Sequence, residues 1–89
     1  MLKKYKIFLI QRGYKEYTPS GNPSTVYDYI KRVKKICERE KITINQLAGG
    51  ISDYVKKYDT SGSEEAFGKR SHNSVINALK RFEEFTNFD

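Results

Sequence analysis

"GNPSTVYDYIKRVKKICERE", residues 21–40, decides the fold. It opens on turn residues and continues as a run in which apolar and basic positions separate. Projected at about 100° per residue, Val26, Tyr29, Ile30, Val33, Ile36 and Cys37 share one arc roughly 120° wide. Lys31, Arg32, Lys35 and Arg39 gather on another arc of roughly 100°, with Asp28 the only acid among them. Lys34, Glu38 and Lys41 flank the boundary. A strand would alternate its faces every second residue, so this spacing predicts an amphipathic helix. Asn22 is its expected N-cap and Pro23 falls in the first turn, where a missing N–H costs nothing. The helix is expected to end near Glu40.

Working outward, Leu2, Tyr5, Phe8 and Leu9 are at helical spacing, which predicts a first helix over 2–12 with Gly13 as its stop. Residues 14–21 read as a loop, which Tyr14 and Tyr17 pin to the bundle rather than offer to bases. After Glu40, "TINQ" at 43–46 has the form of a capping box, Thr43 against Gln46. Ile44, Leu47, Ala48, Ile51, Tyr54 and Val55 give the third helix its apolar side. Gly49–Gly50 is its weak point, where the helix kinks or a neighbour packs closely. Residues 59–71 are mostly connector, with one helical turn expected over 63–67. The last helix is expected to use Ser71 as N-cap and to run to about Phe85, burying Val75, Ile76, Ala78, Leu79, Phe82 and Phe85. No alternating run of useful length is present, so the fold class is all-α: a compact bundle of four long helices and one short one.

Eighty-nine residues make one domain, which buries only about 60–65% of its unfolded surface. Cys37 is the only cysteine, so no disulfide forms; it reads as a small buried hydrophobe and suits a reducing cytoplasm. No apolar run approaches the roughly 18 residues of a membrane span. The short patch in "MLKKYKIFLIQRGY" has no small-residue cleavage site after it and belongs to the first helix rather than to a signal peptide.

Seventeen Lys and Arg against eleven Asp and Glu leave a net charge of +6, which favours an anionic partner but also keeps a small domain in solution. The arrangement says more than the sum. A helix face built only for water interleaves Glu and Lys at i,i+4, whereas Lys31–Lys35 and Lys35–Arg39 set like charges at that spacing. An anionic partner explains their retention; an ordinary basic solvent face is the competing reading. On the last helix the arc opposite the core carries Asn73, Asn77, Lys80, Arg81 and Glu84, with Lys69, Arg70 and His72 before it. Asn makes bidentate contacts to adenine, Lys and Arg reach guanine or phosphate, and a helix start suits a phosphate. The candidate DNA-binding residues are therefore Lys31, Arg32, Lys35, Arg39, Lys69, Arg70, His72, Asn73, Asn77, Lys80 and Arg81. His72 is the only histidine and builds neither a triad nor a metal site with others. No paired catalytic carboxylates, phosphate-cradling Gly loop or nucleophile with a base is recognisable, so no enzyme, metal or cofactor is expected.

The order of "YKIFLIQRGY" (5–14), "PSTVYDYIKRVKKI" (23–36) and "SHNSVINALKRFEEF" (71–85) resembles the N-terminal core-binding domain of tyrosine recombinases and phage integrases. Phe8, Gly13, Ser24, Thr25, Tyr29, Ser71, Val75, Leu79, Arg81, Phe82 and Phe85 carry the likeness, which covers the chain from about Tyr5 to Phe85. The resemblance implies a SAM-like helical domain that clamps one side of a DNA duplex, touching it through Lys31, Arg32 and Lys35 and through Asn73, Asn77, Lys80 and Arg81. It implies duplex DNA and other recombinase protomers as partners, no membrane or small-molecule substrate, and a cytoplasmic, bacterial or phage-encoded protein. The family's Arg/His/Arg set and nucleophilic Tyr lie in a separate C-terminal domain, before which this chain ends. It is then an excised domain or a stand-alone protein of a mobile element. The "YKEYTPSGNPST" loop, 14–25, is longer than the family's usual connection. A helical protein-interaction module or accessory factor is the alternative, its expected sign an exposed apolar patch around Tyr14, Tyr17 or Phe88.

Overall fold

Helix α1, Leu2–Gln11, buries Tyr5, Phe8 and Leu9 and ends one residue before the expected limit. Gly13 at φ 92° follows it, with the Gly13 and Tyr14 amides donating to the Ile10 and Leu9 carbonyls. That left-handed Gly completes a Schellman cap and turns the chain away. The computed structural model describes residues 1–88, and among them every regular element is helical.

Helix α2, Thr25–Glu40, is the expected amphipathic element, but it begins two residues later than the sequence suggests. Ser24, not Asn22, is the N-cap, and Pro23 lies outside the helix in a single antiparallel bridge with Tyr17. The cause is the preceding loop, which closes as a small hairpin. The Thr18 amide donates to the Asn22 carbonyl at 2.8 Å and the Ser24 amide to the Glu16 carbonyl at 2.8 Å. Those bonds hold 22–24 extended, so the helix cannot start until Thr25.

The third expected helix divides at its glycines into α3, Ile44–Gly49, and α4, Ile51–Tyr58. Thr43 forms the full capping box, accepting from the Gln46 amide at 3.1 Å while its own amide donates to Gln46 Oε1 at 2.8 Å. Gly50, at φ −118° and ψ 23°, is the break. No neighbouring helix approaches there; the space at Gly50 is taken by the Tyr54 ring.

The expected turn in the connector is α5, Glu65–Gly68, which starts two residues later and ends one later than expected. Its placement depends on Gly68: a Cβ there would lie 1.8 Å from the Tyr58 carbonyl oxygen, so no larger residue lets α5 seat against the end of α4. Helix α6, Arg70–Thr86, departs most from expectation. Ser71 is not an N-cap. Ser71, His72 and Asn73 have φ of 53°, 58° and 68°, a left-handed turn, and right-handed helix resumes only after them. The chain passes from the Gly68 seat into the right-handed part of α6 through these three residues. Ser74 Oγ donates back to the Ser71 carbonyl at 2.7 Å across the turn.

Helix α6 packs against every other helix, because its apolar arc, Val75, Ile76, Ala78, Leu79 and Phe82, is broad and wholly buried. Tyr5 crosses the centre, its hydroxyl donating to the Ala78 carbonyl at 2.9 Å and its ring meeting Phe82 edge-on. Phe85 is half-buried rather than core. Tyr14 pins its loop, stacking near Tyr29 and receiving a hydrogen bond from Arg81. Tyr17 is 52% exposed, but its ring meets that of Tyr27 on α2 at 5.5 Å and so also ties the loop to the bundle. Cys37 is half-buried, and burial pushes its thiol up. No helix among the described residues is long and apolar enough to cross a membrane.

Candidate nucleic-acid interface

The exposed side of α2 does not stand alone. Where it faces the junction of α5 and α6 it forms a groove of about 420 Å³, lined by Lys31, Arg32, Lys34, Lys35, Glu38, Phe67, Arg70 and Val75. The period of α2 supplies the lysines, the Gly68 seat delivers Phe67, and α6 adds Arg70 as its first residue. A smaller hollow at the start of α2, lined by Pro23, Ser24, Tyr27, Asp28 and Lys31, shares Lys31 with it and extends the strip along the helix.

The charge in the groove is largely uncompensated. Eight ion pairs join cations to acids among the described residues. None involves Lys31, Lys34, Lys35 or Arg70, which all line this one groove. Arg32 is the exception, its Nε 3.3 Å from Asp28 Oδ1. That contact is an ion pair by distance but lacks hydrogen-bond geometry, and the buried Nε has no other partner. Glu38 is the single acid on the lining.

Phe67 forms the apolar floor with Val75. Its ring lies under two guanidinium groups, Arg39 at 4.0 Å and Arg70 at 5.0 Å from the centroid, and meets Tyr58 edge-on. Arg39 is anchored there by a 2.8 Å bond to Glu64. Cation–π contact thus holds two basic side chains against an aromatic that is itself fixed on the core.

The expected site residues divide into two groups. Lys31, Arg32, Lys35 and Arg70 come together in the groove, and Arg39 adjoins it through Phe67. The α6 residues do not form one array with them. Lys69 is drawn to Glu65 at 2.5 Å, and Lys80 to Asp59 at the end of α4 at 3.3 Å. Arg81 is bound to Glu84 at 2.7 Å and to Tyr14, so it fixes the α1–α2 loop. His72 and Asn73 are exposed in the left-handed turn, and Asn77 is half-buried. Phe67 and Lys34 are the participants that the sequence reading missed. Lys34 sits on the boundary of the helical projection, and Phe67 carries a signal only in hindsight of its neighbours, as the one aromatic of a connector that ends in Lys69 and Arg70.

A second hollow of about 710 Å³ lies across the molecule's apolar end, lined by Met1, Lys4, Asn45, Ala48, Gly49, Phe85, Thr86 and Phe88. Phe88 is 63% exposed, and Ile7 and Tyr17 are also solvent-facing, whereas Tyr14 is not. No cluster of three or more His, Cys, Asp or Glu able to hold a metal occurs among the described residues. No protein-family model, no curated protein and no solved structure matches the chain.

Proposed function

We propose that this chain is a non-catalytic, SAM-like DNA-binding domain that positions a tyrosine recombinase or integrase on duplex DNA. The observation that carries the reading is the groove in which Lys31, Lys34, Lys35 and Arg70 stand without acidic partners. Folding gains nothing from leaving these like charges side by side, and a row of phosphates would neutralise them. The resemblance of residues 5–14, 23–36 and 71–85 to core-binding domains supports the recombinase context. In this reading Arg32 and Arg39 steady the rim, and Asn73, Asn77 and His72 supply what base preference there is. Lys69, Lys80 and Arg81 contribute to DNA only after giving up their carboxylate partners.

The test is a titration of duplex DNA against amide chemical shifts at low salt. Shifts should concentrate on α2 and on the segment from Phe67 to Asn77. Scattered shifts, or shifts centred elsewhere, would sink the reading. A stand-alone protein-interaction module or accessory factor of a mobile element is the second reading, favoured by the apolar hollow around Met1, Phe85 and Phe88. It predicts that residues of that hollow respond to a protein partner while the groove stays silent to DNA.

A further inference from the structure

The groove holds more than a phosphate row requires. Cations alone suffice for a duplex backbone, whose bases are stacked away from the protein. Here the cations surround an apolar floor, Phe67 and Val75, in a concave space of about 420 Å³. That volume lies in the range of sites that enclose a single ligand, roughly 300–1,000 Å³. Arg70 presents a planar guanidinium over the Phe67 ring at 5.0 Å, the kind of surface on which a base stacks. Glu38 supplies an acceptor that a phosphate cannot use and a base amine can. A ligand that satisfies all of these is anionic at one end and flat and apolar at the other.

We infer that the groove takes an unpaired nucleotide of the DNA, its phosphate among Lys31, Lys34 and Lys35 and its base against Arg70 and Phe67. The inference rests on the DNA-binding reading and adds to it a preference for gapped or frayed duplex over a blunt one. Arg39 is held by Glu64 as well as by the Phe67 ring, whereas Arg70 lies farther from the ring and has no ion pair among the described residues, so Arg70 is the side chain free to take a base.

The experiment is fluorescence anisotropy at low salt with three labelled probes. These are a blunt duplex, the same duplex with a short single-stranded gap, and a single-stranded RNA of the gap sequence. The gapped duplex should bind about tenfold more tightly than the blunt one, the worth of one stacked base. Arg70→Lys keeps the charge but loses the plane, so it should weaken gapped binding several-fold more than blunt binding and erase most of the difference between the two. Phe67→Leu, which keeps an apolar side chain on the floor, should do the same. Equal binding of gapped and blunt probes by the unaltered protein, or equal loss on both with Arg70→Lys, overturns the inference and leaves the duplex reading standing. Gapped binding without measurable blunt binding supports the inference and defeats the duplex reading. Tighter binding of the RNA than of the gapped DNA overturns the assignment to DNA.

Discussion

Lys35 lies one helical turn from Lys31 and one from Arg39, with no acidic partner among the described residues. Its charge is therefore a cost to α2 and an asset only to a partner. Lys35→Glu separates the two roles. The new carboxylate faces a cation at both i−4 and i+4, so the fold should gain a few tenths of a kcal/mol. DNA affinity should fall at least tenfold, since one phosphate contact is replaced by repulsion. Urea midpoints and DNA titrations on the same variant read both effects. Loss of stability and affinity together would mean that Lys35 serves the fold. Unchanged affinity would return the helix face to the status of a solvated surface.

At the scale of elements, two features invite tests. The first is the left-handed turn at Ser71–Asn73. A non-glycine residue in that conformation costs roughly 1–2 kcal/mol, so His72→Gly should raise stability by about 1 kcal/mol, measured as a higher urea midpoint at unchanged slope. A drop instead would mean that the turn is not the ground state of the segment. The second is the junction of α2 with α4. Burial pushes the Glu40 carboxyl up, but hydrogen bonds from Lys57 at 2.8 Å and from the buried Tyr58 hydroxyl outweigh it and hold it below the ordinary glutamate value. Asp59 and Glu65 are likewise held low, by the Thr60 amide and by Lys69 respectively. Groups depressed in the fold take up protons more readily when unfolded, so their stabilisation is complete above the ordinary carboxylate range. It is lost as pH falls through the depressed values. Stability should thus decline below about pH 4.5, and Glu40→Gln should flatten that decline while lowering neutral stability by about 1–2 kcal/mol.

These elements also mark where the sequence was legible. The amphipathic faces of α2, the Thr43–Gln46 capping box and the glycine stop of α1 depend on residues within a turn of one another, and each was readable locally. The delayed start of α2 was not, because it is imposed by a hairpin whose bonds reach from Lys15 to Val26. Nor was the left-handed turn at Ser71–Asn73, or the seat of Gly68 against a carbonyl ten residues earlier. The groove divides in the same way. Its α2 wall follows from a period of 3.6, while Phe67 and Arg70 arrive only through that seat. Local chemistry does not announce a contact made across the chain.

For the whole molecule, the net charge of +6 already subtracts every acid, and ion pairing decides only where the excess sits. Arg12, Lys57, Lys69, Lys80 and Arg81 are committed to carboxylates, so the excess sits on the cations without an ion pair among the described residues. These cluster in the groove as Lys31, Lys34, Lys35 and Arg70 and are otherwise scattered as Lys3, Lys4, Lys15, Lys41 and Lys56. Binding should be carried by the groove, and its salt dependence then counts the contacts. Each neutralised phosphate contributes about 0.9 to the slope of log K against log salt. The unpaired cations of the groove, Lys31, Lys34, Lys35 and Arg70, give a slope of about −3.6, and adding Arg32 and Arg39 brings it to about −5.4. Lys31→Ala with Lys35→Ala should reduce the magnitude by about 1.8, whereas Lys80→Ala should leave it within about 0.5 of the original. Slopes from anisotropy titrations between low and moderate salt measure this directly. A shallow slope, or equal reductions from the α2 and α6 variants, would mean that the cations act as a diffuse cloud rather than as one aligned strip.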